Sequence, residues 1–433
     1  MPSELHRIME KLFIQGGRRL NGTVAISGMK NAALPIIFAT ILTADVCTIE
    51  NVPKVSDITM SFEILASMGA KINYLSDTKV EIDTRELVGG NSPFDLVSRM
   101  RGSTYLLGAE LARFKQSKVG YPGGCNFGTR PIDMHIKGFE ALGASVSQDD
   151  NYVYADAPNG LCGNSIYFDI VSVGATVNIM LAATLAEGYT VIENAAREPH
   201  IVDLPNFLNM CGADIKGAGT SVIKISGVPA LHGCEYDIIP DMIEAGTYMT
   251  AVAATGGEVN INNIIPKHLE IISTKLVEMG VEIETHDDYL TVRSSGKLKP
   301  TNIQTLPYPG FPTDMHPQFS TLLAIADGES TVYETIWKNR FKYVKELEKM
   351  GASVVVNEPF AAFTGVEKLH GASVRSVDLR AGAAIIIAGL VAEGTTEITD
   401  IFTIERGYLD IVGKLRELGA DISKIYIDEN AFV

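Results

Sequence analysis

LASMGAKI at residues 65–72 decides the fold, because the pattern returns five more times. It recurs as ALGASV at 141–146, NMCGADI at 209–215, VEMGVEI at 277–283, EKMGASV at 348–354 and RELGADI at 416–422. The repeat is about 70 residues long, beyond the usual range of solenoid repeats and suited to a small α/β supersecondary unit. In each copy an amphipathic run ends on glycine, and strand-like residues follow. Glycine at that point supplies the left-handed cap that closes a helix before the chain turns into a strand.

A second element also occurs once per unit. It reads MKNAALPIIFATILTA at 29–44, MRGSTYLLGAELARF at 100–114, SVGATVNIMLAATLAEG at 172–188, MIEAGTYMTAVAATGG at 242–257, MHPQFSTLLAIADG at 315–328 and LRAGAAIIIAGLVAEG at 379–394. These segments are apolar nearly all round, so they are expected as helices buried inside a domain. Short β-rich stretches follow them, such as CTIENV at 47–52, TVIENA at 190–195, VNINNI at 259–264 and TEITDI at 396–401. Each unit then reads as buried helix, strand, outer helix, glycine cap and strand pair.

Six such units fit two domains of three, each with inner helices enclosed by sheets. The stretch GGRRLNGTVAISG at 16–28 reads as a strand left over from the sixth unit. The expected organisation is therefore one domain of residues 30–238 and a second of residues 1–29 with 239–433. Two crossings of the chain make a hinge, and the cleft between domains is the expected ligand site. A scaffold built only of structural repeats is the competing reading. The length of the repeat speaks against it.

Composition narrows the function. The 433 residues carry a formal charge of −16 and are 46% apolar. A surface of that sign repels a phosphate backbone, so nucleic-acid binding is not expected. Any anionic ligand must be drawn to a local cluster of cations. The longest apolar runs, near Ala32–Val46 and Ala381–Ala392, are too short to span a bilayer and contain Pro or Gly. The first fifteen residues lack a secretory apolar core. The five cysteines, at 47, 125, 162, 211 and 234, show no C-x-x-C spacing, so no zinc site or disulfide framework is indicated. The expected compartment is the cytoplasm, with no metal and no cofactor.

Charge at the starts of the inner helices is the chemical signal. Lys30 opens the first, Arg101 the second and Arg380 the sixth. A cation there opposes the helix dipole, whereas a cation beside free N–H groups makes an anion site. The bland alternatives are solvent exposure or pairing with a carboxylate. The third inner helix starts with Ser172-Val173-Gly174, which offers either backbone donors for a phosphate or an ordinary N-cap. Glu244 starts the fourth, and Asp314 in GFPTDMH stands before the fifth as a proton acceptor or a cap. Cys125 lies in the glycine-rich loop VGYPGGCNFGTRPID at 119–133 with Arg130 nearby. A cation at that spacing lowers a thiol pKa or binds phosphate. The other cysteines read as packing residues.

Taken together, the stretches SGMKNAALP, MRGSTYLLG, PGGCNFGTRPIDMHIKGFEALGA, SVGATV, ENAAREPHIVD, FPTDMHPQF, DLRAGAA and IERGY resemble the enolpyruvyl transferase family over nearly the whole chain. The resemblance implies an inside-out α/β barrel in two domains. It is to the branch that joins phosphoenolpyruvate to UDP-N-acetylglucosamine, an early step of peptidoglycan synthesis. The branch that makes enolpyruvylshikimate phosphate lacks the Gly-Gly-Cys loop and carries an L-G-N-A-G-T-A-like segment, which is not found in this sequence. Lys30 and Asn31 then match the pair that holds both substrates. Arg101, Arg130, Arg380 and Arg406 match the arginines around the phosphate and carboxylate of phosphoenolpyruvate. Cys125 matches the loop cysteine that adds to phosphoenolpyruvate, helps product release and is alkylated by fosfomycin. Asp314 matches the acceptor of the sugar-hydroxyl proton, and Asp378 supports the reacting centre. Ser172, Val173 and Gly174 match the turn that binds the diphosphate, while Glu198 and Ile336 match residues lining the sugar and nucleotide pocket. No obligatory protein partner is implied.

Three departures touch nucleotide recognition. DIVSVGAT has Ile170 where the family usually has lysine, PDMIEAGT has Met242 where it has arginine, and MKN replaces AKN. Two readings therefore stand beside the main one: an enolpyruvyl transferase with another nucleotide acceptor, and a non-catalytic nucleotide-sugar-binding paralogue. The second conflicts with the presence of Lys30, Cys125, Asp314 and Arg406.

Overall fold

All six capping glycines sit at positive φ in the computed structural model, between 92° and 102°. The structure describes residues 8–90, 92–121 and 132–428. At each cap the N–H after the glycine reaches back to a carbonyl in the last turn, as from Ala70 to Leu65 and from Ala420 to Leu415, both at 3.0 Å. The glycine N–H closes a second, shorter ring, from Gly69 to Ala66 and from Gly419 to Arg416. These paired bonds satisfy carbonyls that a helix end leaves open. They end the outer helices Ser56–Ser67, Asp133–Ala141, Pro199–Met210, Glu270–Glu278, Val344–Lys349 and Ile411–Glu417.

The six apolar segments form the inner helices Lys30–Ala39, Tyr105–Phe114, Val173–Thr184, Met242–Thr255, His316–Ile325 and Leu379–Val391. The fourth is buried at every residue from Met242 to Ala254. Small residues make that enclosure possible. A Cβ on Gly108 would lie 2.3 Å from the Asn178 carbonyl oxygen of the next inner helix. With no side chain in the way, the Gly108 N–H instead donates to Asn178 Oδ1 at 2.9 Å.

Short parallel strands tie neighbouring units together. Ser165–Tyr167 ends the second unit and pairs with Tyr189–Glu193 of the third. Glu235–Asp237 ends the third and returns to Val46–Glu50 of the first, which closes the ring of three. The other ring closes through the N-terminal residues. Ile8–Gln15 lies between Thr395–Thr399 and Asp421–Asp428, and Leu20–Ala25 runs parallel to Gly257–Asn262. The stretch read as a strand left over from the sixth unit thus holds Leu20–Ala25. The chain divides between Ile26 and Ser27 and between Pro240 and Asp241. Among the described residues no helix is long and apolar enough to cross a membrane.

Candidate active site

In the unit of residues 27–240, Lys30 begins the first inner helix without a capping side chain. Its Nζ lies 3.1 Å from Asp57 Oδ2, and both side chains are buried. Asp57 stands in the first turn of the outer helix Ser56–Ser67, where a carboxylate also suits the helix dipole. The pairing alternative weighed for these cations thus holds at Lys30, and the sequence reading missed Asp57. Asn31 is half-buried one residue on. Pro35, inside the same helix, has no N–H to offer the Asn31 carbonyl four residues back.

Arg101 begins a 3₁₀ turn, Arg101–Thr104, and the second inner α-helix starts only at Tyr105. Its charge acts on His135, a buried residue that the sequence reading did not single out. Burial first, and Arg101 second, push the His135 imidazole down to about 4. Asn178 Nδ2 lies 3.0 Å from His135 Nδ1, and a Cβ on Gly174 would meet the same ring at 3.1 Å. Arg101, His135, Gly174 and Asn178 therefore share one neighbourhood. Ser172 is the N-cap of the third inner helix, its Oγ accepting from Ala175 N at 3.3 Å. Thr176 Oγ1 donates to the Ser172 carbonyl and accepts from Ala196 N, which ties this turn to the segment leading to Glu198. Val173 is half-buried. Glu198 is the N-cap residue of the helix Pro199–Met210 and accepts from Arg197 N at 3.0 Å. Ile170 is 65% exposed, but its neighbour Asp169 pairs with Lys137 at 2.7 Å, so a cation stands beside this turn after all. Cys125 and Arg130 lie outside the described residues.

The other unit places Asp314 between two guanidiniums. Asp314 Oδ2 is 3.1 Å from Arg380 Nε, and Oδ1 is 3.5 Å from Arg340 Nη2. Each arginine side chain is only 4% exposed, whereas that of Asp314 is 32% exposed. Asp314 is not a cap, because the fifth inner helix begins at His316 with Met315 as its uncapped N-cap residue. Burial works against the Arg380 charge, yet Asp314, then Tyr408 and Asp241, outweigh it and hold the guanidinium above its ordinary value. The guanidinium lies over the Tyr408 ring, 5.4 Å from its centroid. Among the described residues its Nη1 is a buried donor with no acceptor. Asp378 caps the sixth inner helix, with Oδ1 accepting from Arg380 N at 2.9 Å and Ala381 N at 3.0 Å. Arg406 is half-buried behind the short helix Phe402–Glu405, and two residues later IERGY supplies Tyr408. Met242 is buried at the start of the fourth inner helix, and Glu244 pairs with Lys414 at 2.6 Å.

Glu334 fixes two predicted residues at once. Its Oε1 accepts from Thr305 Oγ1, Ile336 N and Trp337 N, and its Oε2 accepts from Thr313 Oγ1 and pairs with His316 Nδ1. Those bonds hold both sides of Asp314 and the backbone of Ile336. The sequence reading passed over Glu334 and Arg340. The only local signal is their flanking of Ile336 in ETIWKNR.

Buried inner helices opened by ion-paired cations, with an accessible carboxylate against one of them, suit proton removal beside an anion. A family model described as EPSP synthase (3-phosphoshikimate 1-carboxyvinyltransferase) matches residues 14–415. The chain belongs to this enolpyruvyl (carboxyvinyl) transferase family. It is 55% identical over 418 residues to a UDP-N-acetylglucosamine 1-carboxyvinyltransferase of Clostridium botulinum, covering 96% of this chain and all of that one. A UDP-N-acetylglucosamine 1-carboxyvinyltransferase 2 of Bacillus anthracis is 52% identical, with 96% of each chain covered. Among solved structures, the enolpyruvyl transferase NikO from Streptomyces tendae superposes with a TM-score of 0.88 at 27% identity, over 97% of this chain and 99% of that one. An EPSP synthase from Acinetobacter baumannii, at 19% identity and a TM-score of 0.71 over 96% and 100%, shares the fold. The chain is thus an enolpyruvyl transferase with the two-domain α/β fold of its family.

Proposed function

We propose that this enolpyruvyl transferase moves the carboxyvinyl group of phosphoenolpyruvate to the 3′-hydroxyl of UDP-N-acetylglucosamine and releases phosphate, supplying peptidoglycan synthesis in the cytoplasm. The observation that carries the acceptor is the 52–55% identity, across nearly whole chains, to relatives named for that acceptor. Asp314 accepts the hydroxyl proton, and the oxygen bonds to C2 of phosphoenolpyruvate while an acid protonates C3. Loss of a C3 proton then expels phosphate and restores the vinyl group. As Asp314 takes up its proton, its hold on Arg380 weakens and the guanidinium charge turns to the anion. Asp378 keeps Arg380 at the helix start. Lys30, Arg101, Arg130, Arg380 and Arg406 hold the phosphate and carboxylate of phosphoenolpyruvate, with Asn31 beside them. Cys125 or a positioned water is the acid, and Cys125 assists product release. Ser172, Val173 and Gly174 present the turn to the diphosphate, and Glu198 and Ile336 line the sugar and nucleotide pocket.

A second reading, another nucleotide as acceptor, draws on exposed Ile170 and buried Met242, where the family usually has cations. Lys137, held beside Ile170 by Asp169, works against it. The test is phosphate release from phosphoenolpyruvate with UDP-N-acetylglucosamine, with and without fosfomycin, beside Cys125→Ala. Acceptor-dependent release abolished by fosfomycin is the expected result. Labelling of Cys125 without release would move the search to other nucleotides. Neither release nor labelling would sink the reading.

A further inference from the structure

Three of the four cysteines that read as separate packing residues come together, within the unit of residues 27–240. Cys47 lies in the strand Val46–Glu50, Cys211 is the C-cap residue of the helix Pro199–Met210, and Cys234 directly precedes the strand Glu235–Asp237. Backbone bonds hold the three segments in place. Thr48 N donates to the Cys234 carbonyl and His232 N to the Cys211 carbonyl, both at 2.9 Å. The sulfurs of Cys211 and Cys234 are 3.1 Å apart. Cys47 stands beside the pair and donates to Thr43 Oγ1 at 3.6 Å.

We propose that Cys211 and Cys234 form a site of reversible disulfide formation, with Cys234 as the entry thiol. The sulfurs need to approach by only about 1 Å to reach the ~2.05 Å bond length. Access is graded: Cys47 and Cys211 are buried, whereas Cys234 is partly exposed. A small disulfide oxidant such as glutathione disulfide meets Cys234 first. The Cys234 thiolate attacks one sulfur of the oxidant, forming a mixed disulfide and releasing one glutathione thiolate. Cys211, having lost its proton, attacks the Cys234 sulfur, forming the protein disulfide and releasing the second glutathione. Two protein thiols are oxidised and one glutathione disulfide is reduced to two thiols. Among the described residues no group of three or more His, Cys, Asp or Glu is disposed to hold a metal ion, so the trio is read as thiols. The bond would tie the end of the helix that begins after Glu198 to the strand that closes the ring of three units. It is independent of the acceptor and of Cys125.

The test is peptide mapping of the folded full chain after treatment with glutathione disulfide, rapid alkylation and trypsin. Cys211 falls in the peptide 198–216, Cys234 in 225–267, Cys47 in 31–54 and Cys125 in 119–137, since trypsin does not cut before Pro131. The expected result is a 198–216/225–267 cross-link, lighter by two hydrogens than the sum of the peptides and lost on reduction with dithiothreitol. The link persists in Cys47→Ser and is absent from Cys234→Ser. Recovery of both peptides unlinked and alkylated from folded protein would overturn the proposal. So would a link from either peptide to 31–54 in their place.

Discussion

Two ion pairs of equal length sit at the starts of inner helices in the two units, and they are built for different work. Lys30–Asp57 and Arg380–Asp314 both close at 3.1 Å. The Asp57 side chain is 7% exposed and belongs to the outer helix of the same unit. The Asp314 side chain is 32% exposed, is shared with Arg340, and arrives from the turn before a different inner helix. A carboxylate sealed against its partner can only neutralise and position it. One with an open face can also exchange a proton. The difference lies in exposure and in the number of partners, and distance alone hides it.

Changing the two aspartates breaks the comparison most directly. Asp314→Asn keeps the shape and removes the proton acceptor, so turnover is expected to fall about 10²–10⁴-fold; because it also leaves the buried Arg380 and Arg340 charges without their carboxylate, some loss in the urea midpoint accompanies it. Asp57→Asn should act mainly on stability and much less on turnover. Removing one member of a buried pair strands the other charge, and a loss of about 3 kcal/mol is expected in urea unfolding. The double change Lys30→Met with Asp57→Leu should recover much of that stability, because apolar replacements of a buried pair are often near neutral, yet be inactive, because the Lys30 ammonium is gone. If Asp57→Asn unfolds like wild type while losing all turnover, the division of labour is wrong.

Buried histidines sharpen the contrast. His316 has Glu334 at 2.9 Å, whereas the neighbour of His135 is the Asn178 amide. Burial lowers both, but His316 is pulled partly back by Glu334, and His135 is further depressed by Arg101. Above pH 6.5 His135 is neutral in the folded and unfolded states alike. Below it the unfolded chain takes up a proton that the folded site refuses until about pH 4. Stability therefore falls with acid by about 1.4 kcal/mol per pH unit, or about 2 kcal/mol at pH 5. His135→Gln should remove that slope, measured as the difference from wild type in urea midpoints at pH 7 and pH 5. Parallel profiles would show that the imidazole is not held neutral.

Much of this fold is legible because repetition multiplies weak signals. One glycine after an amphipathic run is a hint, and six at even spacing specify the cap, the helix before it and the strand after it. The inner helices are equally plain, since Ala, Gly and Ile on all faces leave no side for solvent. Candidate site residues stand out where a charge violates a local rule, as Lys30 and Arg380 do at helix starts and Arg101 does at the 3₁₀ turn before one. Their partners do not, because Asp57, Arg340 and Glu334 occupy positions where a charged residue breaks no rule. Only three-dimensional closure brings them against Lys30, Asp314 and Ile336. The thiol cluster was hidden for the same reason: Cys47, Cys211 and Cys234 meet only when the strand Glu235–Asp237 returns to Val46–Glu50.

The smallest effects test what holds the helix starts themselves. Ser172 caps its inner helix with one accepted bond at 3.3 Å, while Asp378 accepts two, at 2.9 and 3.0 Å, and carries a charge suited to the helix dipole. Loss of a cap to alanine costs about 0.5–2 kcal/mol. Ser172→Ala should sit at the low end of that range and Asp378→Ala at the high end. Their consequences for turnover should also differ. Asp378 bonds to the backbone of Arg380, so its loss frees the residue that pairs with Asp314, and kcat is expected to fall. Ser172 shapes the turn read here as the diphosphate site, so its loss is expected to raise KM for the nucleotide sugar while leaving kcat near wild type. A kcat loss in Ser172→Ala equal to that in Asp378→Ala would show that both caps merely stiffen the barrel.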